Sequence, residues 1–172
     1  MKVIPIFDLH LYSFKYSGEE FDELERLFDE WNDIELLRKF FEENRQDLKY
    51  FDINIDNAIT ETRKEAKVFS KKLKELSKAV NPDLDSIFAN LDDYDTRVID
   101  LAKQKSKRRW LRLYALRIET NTYIITGGAI KLTNKMETRP HTAQELIKLE
   151  LCRNYLKDQG VFDVDTFNEL FI

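Results

Sequence analysis

The stretch Trp110-Leu111-Arg112-Leu113-Tyr114-Ala115-Leu116-Arg117-Ile118 runs through Glu119-Thr120-Asn121-Thr122 into Tyr123-Ile124-Ile125-Thr126-Gly127-Gly128-Ala129-Ile130-Lys131-Leu132-Thr133. Its aromatic and β-branched residues, divided by a short polar link, spell two strands joined as a hairpin. With the turn centred on Thr120-Asn121, Trp110 faces Lys131, Leu111 faces Ile130, Arg112 faces Ala129 and Tyr114 faces Gly127. Strand alternation then assigns Leu111, Leu113, Ala115, Ile124 and Ile130 to one face. Trp110, Arg112, Tyr114, Tyr123 and Lys131 fall on the other. The first set is core. The second admits two readings: cross-strand packing with snorkelling cations, or an open platform for phosphates and stacked bases. Gly127-Gly128 permits a bulge or a close approach of another chain segment.

Outward from this hairpin the chain turns helical. Towards the N-terminus, Val3 to Tyr16 reads as one initial strand closed by Ser17-Gly18. Phe21, Leu24, Leu27, Phe28 and Trp31 recur at helical spacing, as do Ile34, Leu37, Phe40 and Phe41 after an Asn32-Asp33 break that caps a new helix. The two form a helical hairpin. Tyr50 to Ile55 alternates like a short strand. Ile59, Thr62, Ala66, Phe69, Leu73, Leu76 and Val80 then step by three and four, a helix with one narrow seam that ends at Asn81-Pro82; such a seam suits an edge helix, a paired helix or an oligomer contact, and packing on its own domain is the preferred reading. Pro82 to Thr96 is an acidic connection. On the C-terminal side, Thr142 and Glu145 have the spacing of a capping box for a helix through Leu146, Leu149, Cys152, Tyr155 and Leu156 that stops at Gly160. Asp165 caps a last short helix. The pattern predicts a single α+β domain over residues 1–172, a small antiparallel sheet with packed helices.

Composition narrows the function classes. The 172 residues hold 28 Lys plus Arg and 32 Asp plus Glu, a net charge of −4 with neutral histidines. That charge is unevenly placed: residues 101–141 carry ten cations against two carboxylates, +8, which leaves −12 for the remainder. A basic third on an acidic body suits a polyanion-facing surface. No run nears the roughly 18 apolar residues of a membrane span, and the apolar start soon meets Asp8 and His10, so a cytoplasmic protein is expected. The single cysteine, Cys152, excludes an internal disulfide and a four-cysteine zinc site. It lies on the apolar side of its helix, as a buried thiol would.

Arg112-Leu113-Tyr114, the short hairpin ending in Gly127-Gly128, then Lys131, Thr133, Lys135 and Pro140 before a charged last helix resemble the RelE/ParE toxin superfamily, in particular its HigB-like branch. The resemblance covers about Lys107 to Leu156, and this chain differs in an acidic helical insertion over about residues 56–95. It implies a RelE/ParE-like core and the toxin of a bacterial type II toxin–antitoxin pair. Many such toxins cleave mRNA on the ribosome without a metal or other cofactor, whereas the ParE branch poisons gyrase. The implied partners are a cognate antitoxin and the ribosome with its mRNA, not a membrane; the oligomeric state is left open.

Metal-free cleavage of RNA by its own 2′-hydroxyl needs that hydroxyl deprotonated, the phosphorane stabilised and the leaving oxygen protonated. Arg112, Lys131 and Lys135 are the candidate phosphate clamp, Tyr114 a base-stacking or proton-assisting group, and His141 the acid or base. Lys105, Lys107, Arg108, Arg109, Trp110 and Arg139 are candidate RNA contacts. Arg117 should pair with a carboxylate at a sheet edge, and His10 should be structural. No metal-ligand cluster, phosphate-binding glycine loop or glycosidase-type carboxylate pair is spelled. An endoribonuclease and a non-enzymatic binding module on the same fold, gyrase inhibition included, both remain open.

Overall fold

The computed structural model describes residues 1–7, 9–90, 98–100, 110–133 and 138–171. Its architecture is α+β. A mixed sheet carries the order β1-β2-β6-β5-β4-β3, with β1 at Lys2–Phe7, β2 at Leu11–Lys15, β3 at Ala89–Asn90, β4 at Val98–Asp100, β5 at Leu111–Glu119 and β6 at Thr122–Ile130. Four of these strands have five or more residues; β3 and β4 are short edge additions. The helices are α1 (Glu23–Asn32), α2 (Ile34–Glu43), α3 (Arg45–Leu48), α4 (Ile55–Leu76), α5 (Pro140–Asp158) and α6 (Val164–Asn168).

The expected all-antiparallel sheet is corrected at one pairing. β2 runs parallel to β6, with Leu11 opposite Tyr123 and Ser13 opposite Ile125. A parallel neighbour needs a long crossover, and everything from α1 to β5 supplies it. The initial strand also divides in two. Leu9 takes a left-handed conformation (φ 65°) and His10 donates its N–H to the Phe7 carbonyl, so β1 and β2 form a hairpin. The apolar turn residue Leu9 concealed the break.

The β5–β6 hairpin forms about Thr120-Asn121, where Asn121 adopts the left-handed conformation it tolerates better than most residues (φ 58°). From Leu111↔Ile130 to Tyr114↔Gly127 the register is the expected one. It then slips, because Ala115 pairs with Ile125 and Thr126 is left as the extra residue of a bulge. Thr126 turns its hydroxyl to the Tyr114 carbonyl at 3.2 Å. The slip exchanges the faces of the β6 residues nearer the turn. Ile124 joins Tyr114 and Leu116 in a core beneath α5 and α6, while Tyr123 and Ile125 join Leu111, Leu113 and Ala115 beneath α1, α2 and α4.

The sheet is therefore covered on both faces, and the open aromatic platform does not form. Trp110 is fully buried, its ring edge-on to Phe41 and Phe51, and its indole N–H donates to the Thr62 hydroxyl at 2.9 Å. Tyr114 is fully buried in the second core. Burial at this level removes either ring from contact with a base at the surface.

The helical layer follows the sequence closely. Asp22 and Asp33 cap α1 and α2 by accepting backbone N–H groups of the first turns. α4 buries Ala58, Ile59, Thr62, Ala66 and Leu73 against α1 and α2, so the stretch expected to be an insertion is part of the main core. Its helix ends at Leu76, before Val80, which is exposed. Tyr50 to Ile55 is not a strand: a 3-10 turn at Lys49–Phe51 and a left-handed Asp52 lead directly into α4. Arg117 pairs with Asp85 at 3.1 Å, which fastens the acidic connection to the hairpin tip. His10 is likewise structural, its Nδ1 lying 3.2 Å from the Asn121 carbonyl.

α5 begins three residues earlier than expected. Pro140 takes the first helical position, where its missing N–H costs nothing, and Arg139 is the cap. Thr142 and Glu145 are consequently inside the helix and buried. After α5, Gly160 adopts φ 80° and Val161 N–H returns to the Leu156 carbonyl, a glycine-terminated helix end. The last helix is capped by Asp163 and Thr166 reciprocally, not by Asp165.

Candidate functional site

A cleft of about 420 Å³ opens between α1, α2, the end of β6 and the first two turns of α5. Its apolar wall is Trp31, Leu36, Leu37, Phe40, Ala129 and Ile130; its polar groups are Arg26, Glu30, His141, Gln144, Glu145 and Lys148. His141, Glu145 and Lys148 are spaced four and then three along α5, which stacks them on one helix face. Glu23, Arg26 and Glu30 do the same on α1.

His141 stands at the rim. Its Nε2 lies 2.9 Å from the Ile130 carbonyl, and Phe40 packs edge-on to the ring. A carbonyl only accepts, so Nε2 carries a proton and Nδ1 is the nitrogen left for proton exchange. Lys131 follows Ile130 directly, is half-buried, and its backbone N–H donates to the Trp110 carbonyl at 2.8 Å. Arg112 is half-buried on β5 opposite Ala129, with one guanidinium N–H on the Leu111 carbonyl at 2.9 Å. Arg112, Lys131 and the His141 bond to Ile130 thus lie at the Leu111–Ile130 end of the β5–β6 hairpin, and of these three residues His141 lines the cleft.

Arg139 is committed elsewhere. Its guanidinium makes a bidentate pair with the buried carboxylate of Asp47, in α3, which leaves Arg139 anchoring the start of α5. The pairing holds the Asp47 carboxyl below the usual carboxylate range. Lys105, Lys107, Arg108, Arg109 and Lys135 lie outside the described residues.

Arg26, Glu30, Glu145 and Lys148 in the cleft wall form, with Glu23, a charged cluster that the sequence alone did not reveal. Lys148 Nζ lies 3.1 Å from Glu23 Oε2 and 3.2 Å from Glu145 Oε1, so one ammonium serves two buried carboxylates. Arg26 grips Glu23 through both oxygens and reaches Glu30 with its remaining nitrogen. Glu145 Oε2 is buried and has no hydrogen-bond partner among the described residues. It presses on β6 where a side chain would stand: a Cβ on Gly127 would lie 2.0 Å from it. Burial pushes the Glu145 carboxyl up to about 7, against the pull of Lys148 and with the push of Glu23.

Behind the cluster, Tyr16 donates its hydroxyl to the Thr126 carbonyl at 2.7 Å, with Cys152 Sγ 3.1 Å away. Burial raises the Cys152 thiol to about 12, so it is the inert core thiol expected of it. Among the described residues no group of three or more His, Cys, Asp or Glu side chains is arranged to hold a metal, and no helix is long and apolar enough to cross a membrane. The spacing of His141, Glu145 and Lys148 was visible in the sequence, but assigning Glu145 to a cap hid it.

Compared with known proteins, the chain matches no family model, no curated protein and no solved structure.

Proposed function

We propose that this chain is the toxin of a bacterial type II toxin–antitoxin pair, with a RelE/ParE-like core, acting in the cytoplasm on mRNA at the ribosome. The observation that carries the reading is the bond from His141 Nε2 to the Ile130 carbonyl, which sets an imidazole beside Lys131 and across the strand pair from Arg112. The order of strand, helical hairpin, antiparallel β4-β5-β6 and closing helix supports the same core.

In this reading His141 Nδ1 takes the proton of the 2′-hydroxyl, whose oxygen forms a bond to the adjacent phosphorus as the bond to the 5′-oxygen breaks. Arg112 and Lys131 carry the charge that builds on the phosphoryl oxygens. The protonated imidazole, or water, returns a proton to the leaving oxygen, giving a cyclic phosphate and a 5′-hydroxyl. Trp110 and Tyr114 take no part by contact, since both are in the core. The cognate antitoxin would cover the same rim.

The burial of those two aromatics favours a second reading, a non-enzymatic module that binds nucleic acid or protein, gyrase included, on the same surface. Induced expression in a bacterial host separates the two. A nuclease predicts growth arrest with mRNA cut in translated regions, and loss of both in Arg112→Ala/Lys131→Ala with unchanged circular dichroism. Arrest with intact mRNA selects the binding module, and no arrest removes the toxin reading.

A further inference from the structure

The second half of α4 is strongly basic: residues 63–78 hold seven cations against Glu65 and Glu75. Five of the seven, Lys64, Lys67, Lys71, Lys74 and Lys78, follow one another at steps of three and four, which sets them in one row along the helix. The row runs one residue past the Ser77 cap, where Lys78 N–H donates to the Glu75 carbonyl at 3.2 Å. It lies opposite the buried seam of Thr62, Ala66 and Leu73, and all five lysines are exposed. Lys71 reaches Glu75 at 3.9 Å with both side chains in water, a pair of little weight, and the other four make no ion pair with a described residue. Neighbours in the row are like charges at i,i+3 or i,i+4, which repel one another and work against the helix. The macrodipole accommodates Lys74 in the last turn, but its effect fades within that turn and leaves Lys64, Lys67 and Lys71 unexplained.

We propose that this lysine row is a docking surface for the phosphate backbone of a nucleic-acid duplex. Consecutive lysines rise about 5 Å along a rigid helix, giving a straight line of charge about 20 Å long. A duplex offers the matching partner, a stiff rod with phosphates at fixed intervals and about one negative charge per 1.7 Å of axis. The even spacing favours such a polymer over an acidic polypeptide, whose carboxylates have no fixed repeat. Single strands are held by stacking as well as charge, and the row has no ring to offer: Phe69 of α4 packs inward on Phe28, and Val68 is the exposed large apolar side chain of the helix. The apolar seam of α4 is turned into the core, which leaves nothing to insert into a membrane. Lysines contacting phosphates position a protein on a duplex without reading its sequence. RNA and DNA duplexes share this chemistry, and the experiment separates them. The surface does not use Arg112, Lys131 or His141, so it stands or falls independently of RNA cleavage.

The test is fluorescence anisotropy of the full chain with a labelled random-sequence duplex of about 20 base pairs, as RNA and as DNA, and with a single strand of the same length. A duplex should bind more tightly than the single strand, and a preference between the RNA and DNA forms names the natural source. If each lysine neutralises one phosphate, log K falls against log salt with a slope of about −4.5, so affinity for the DNA duplex drops about 500-fold from 50 to 200 mM salt. Lys64→Gln/Lys67→Gln/Lys71→Gln/Lys74→Gln, with unchanged circular dichroism, should reduce that slope by about 3.6, and Lys67→Gln alone by about 0.9. Exchange of the same four lysines for arginine should keep the wild-type slope, as should Arg112→Ala/Lys131→Ala. No duplex binding, tighter binding of the single strand, or a slope unchanged by the glutamine exchanges overturns the proposal. So does equally tight binding of poly-glutamate or of phosphatidylserine vesicles, which would assign the row to an acidic polypeptide or a membrane surface.

Discussion

Trp110, the last residue before β5, donates its indole N–H to the hydroxyl of Thr62 in the middle of α4, 48 positions earlier in the chain. Thr62 donates its own O–H to the Ala58 carbonyl at 2.7 Å, so both polar groups are satisfied inside the core. Thr62→Val keeps the shape and removes the acceptor, leaving a buried N–H unpaired at a cost of about 1–3 kcal/mol. Thr62→Ser keeps the bond and should lose less. Urea unfolding followed by far-ultraviolet circular dichroism distinguishes them; equal losses would mean that the hydroxyl does not matter.

The Asp47–Arg139 pair ties α3 to the first turn of α5 and so fixes where His141 stands. Because Arg139 holds the Asp47 carboxyl below its ordinary value of 3.8, the pair stabilises the fold above that pH and stops doing so as the acid becomes protonated on further acidification. Asp47→Asn should lower Tm at pH 7 by on the order of 5 °C. The gap to wild type should narrow as the pH falls below 3.8 and the Asp47 carboxyl takes up its proton. A gap that persists in acid would point to packing and not charge.

The two adjacent glycines serve different neighbours. A Cβ on Gly127 meets the carboxylate of Glu145, the far end of a flexible side chain that can swing away. A Cβ on Gly128 would lie 2.6 Å from the Arg112 backbone oxygen and 2.7 Å from Leu27 Cδ1, which cannot retreat without parting β5 from β6 or α1 from the sheet. Gly127→Ala should therefore cost about 1–2 kcal/mol and Gly128→Ala roughly 3 kcal/mol or more. Chemical denaturation checks the order, and a reversal would refute the packing assigned to Gly128.

Of the two roles that Gly127-Gly128 permits, the close approach occurs at both residues, whereas the bulge falls on Thr126, one residue earlier. The helical hairpin, the α4 seam and the hairpin register near Leu111 were also readable, because periodicity and capping are local signals. What failed was non-local. One extra residue at Thr126 reversed the faces of Tyr123 and Ile124, since a strand has period two and no local rule announces a bulge. Helices then covered both faces of the sheet, putting Trp110 in the core beneath α2 and α4 and Tyr114 in the core beneath α5 and α6. The Glu23–Lys148–Glu145 cluster joins residues 125 positions apart in the chain, so only its α5 half could be seen in advance.

Glu145 supplies the sharpest pH test of this cluster. Its carboxyl rises from an ordinary 4.5 to about 7 on folding. Below 4.5 both folded and unfolded chains hold the proton, and stability carries no penalty. Between 4.5 and 7 the unfolded chain releases a proton that the folded chain keeps, so stability falls as pH rises. Above 7 the loss is complete, at about 3 kcal/mol for a shift of this size. Glu145→Gln removes the titrating group while leaving an amide oxygen for Lys148. Its stability should match wild type near pH 4.5 and exceed it at pH 8, by less than the full amount because the charged pair with Lys148 is gone. Parallel urea titrations of the two proteins from pH 4.5 to 8 measure the difference directly. If the two curves stay parallel across that range, the Glu145 carboxyl titrates alike in the folded and unfolded chains and burial does not hold its proton.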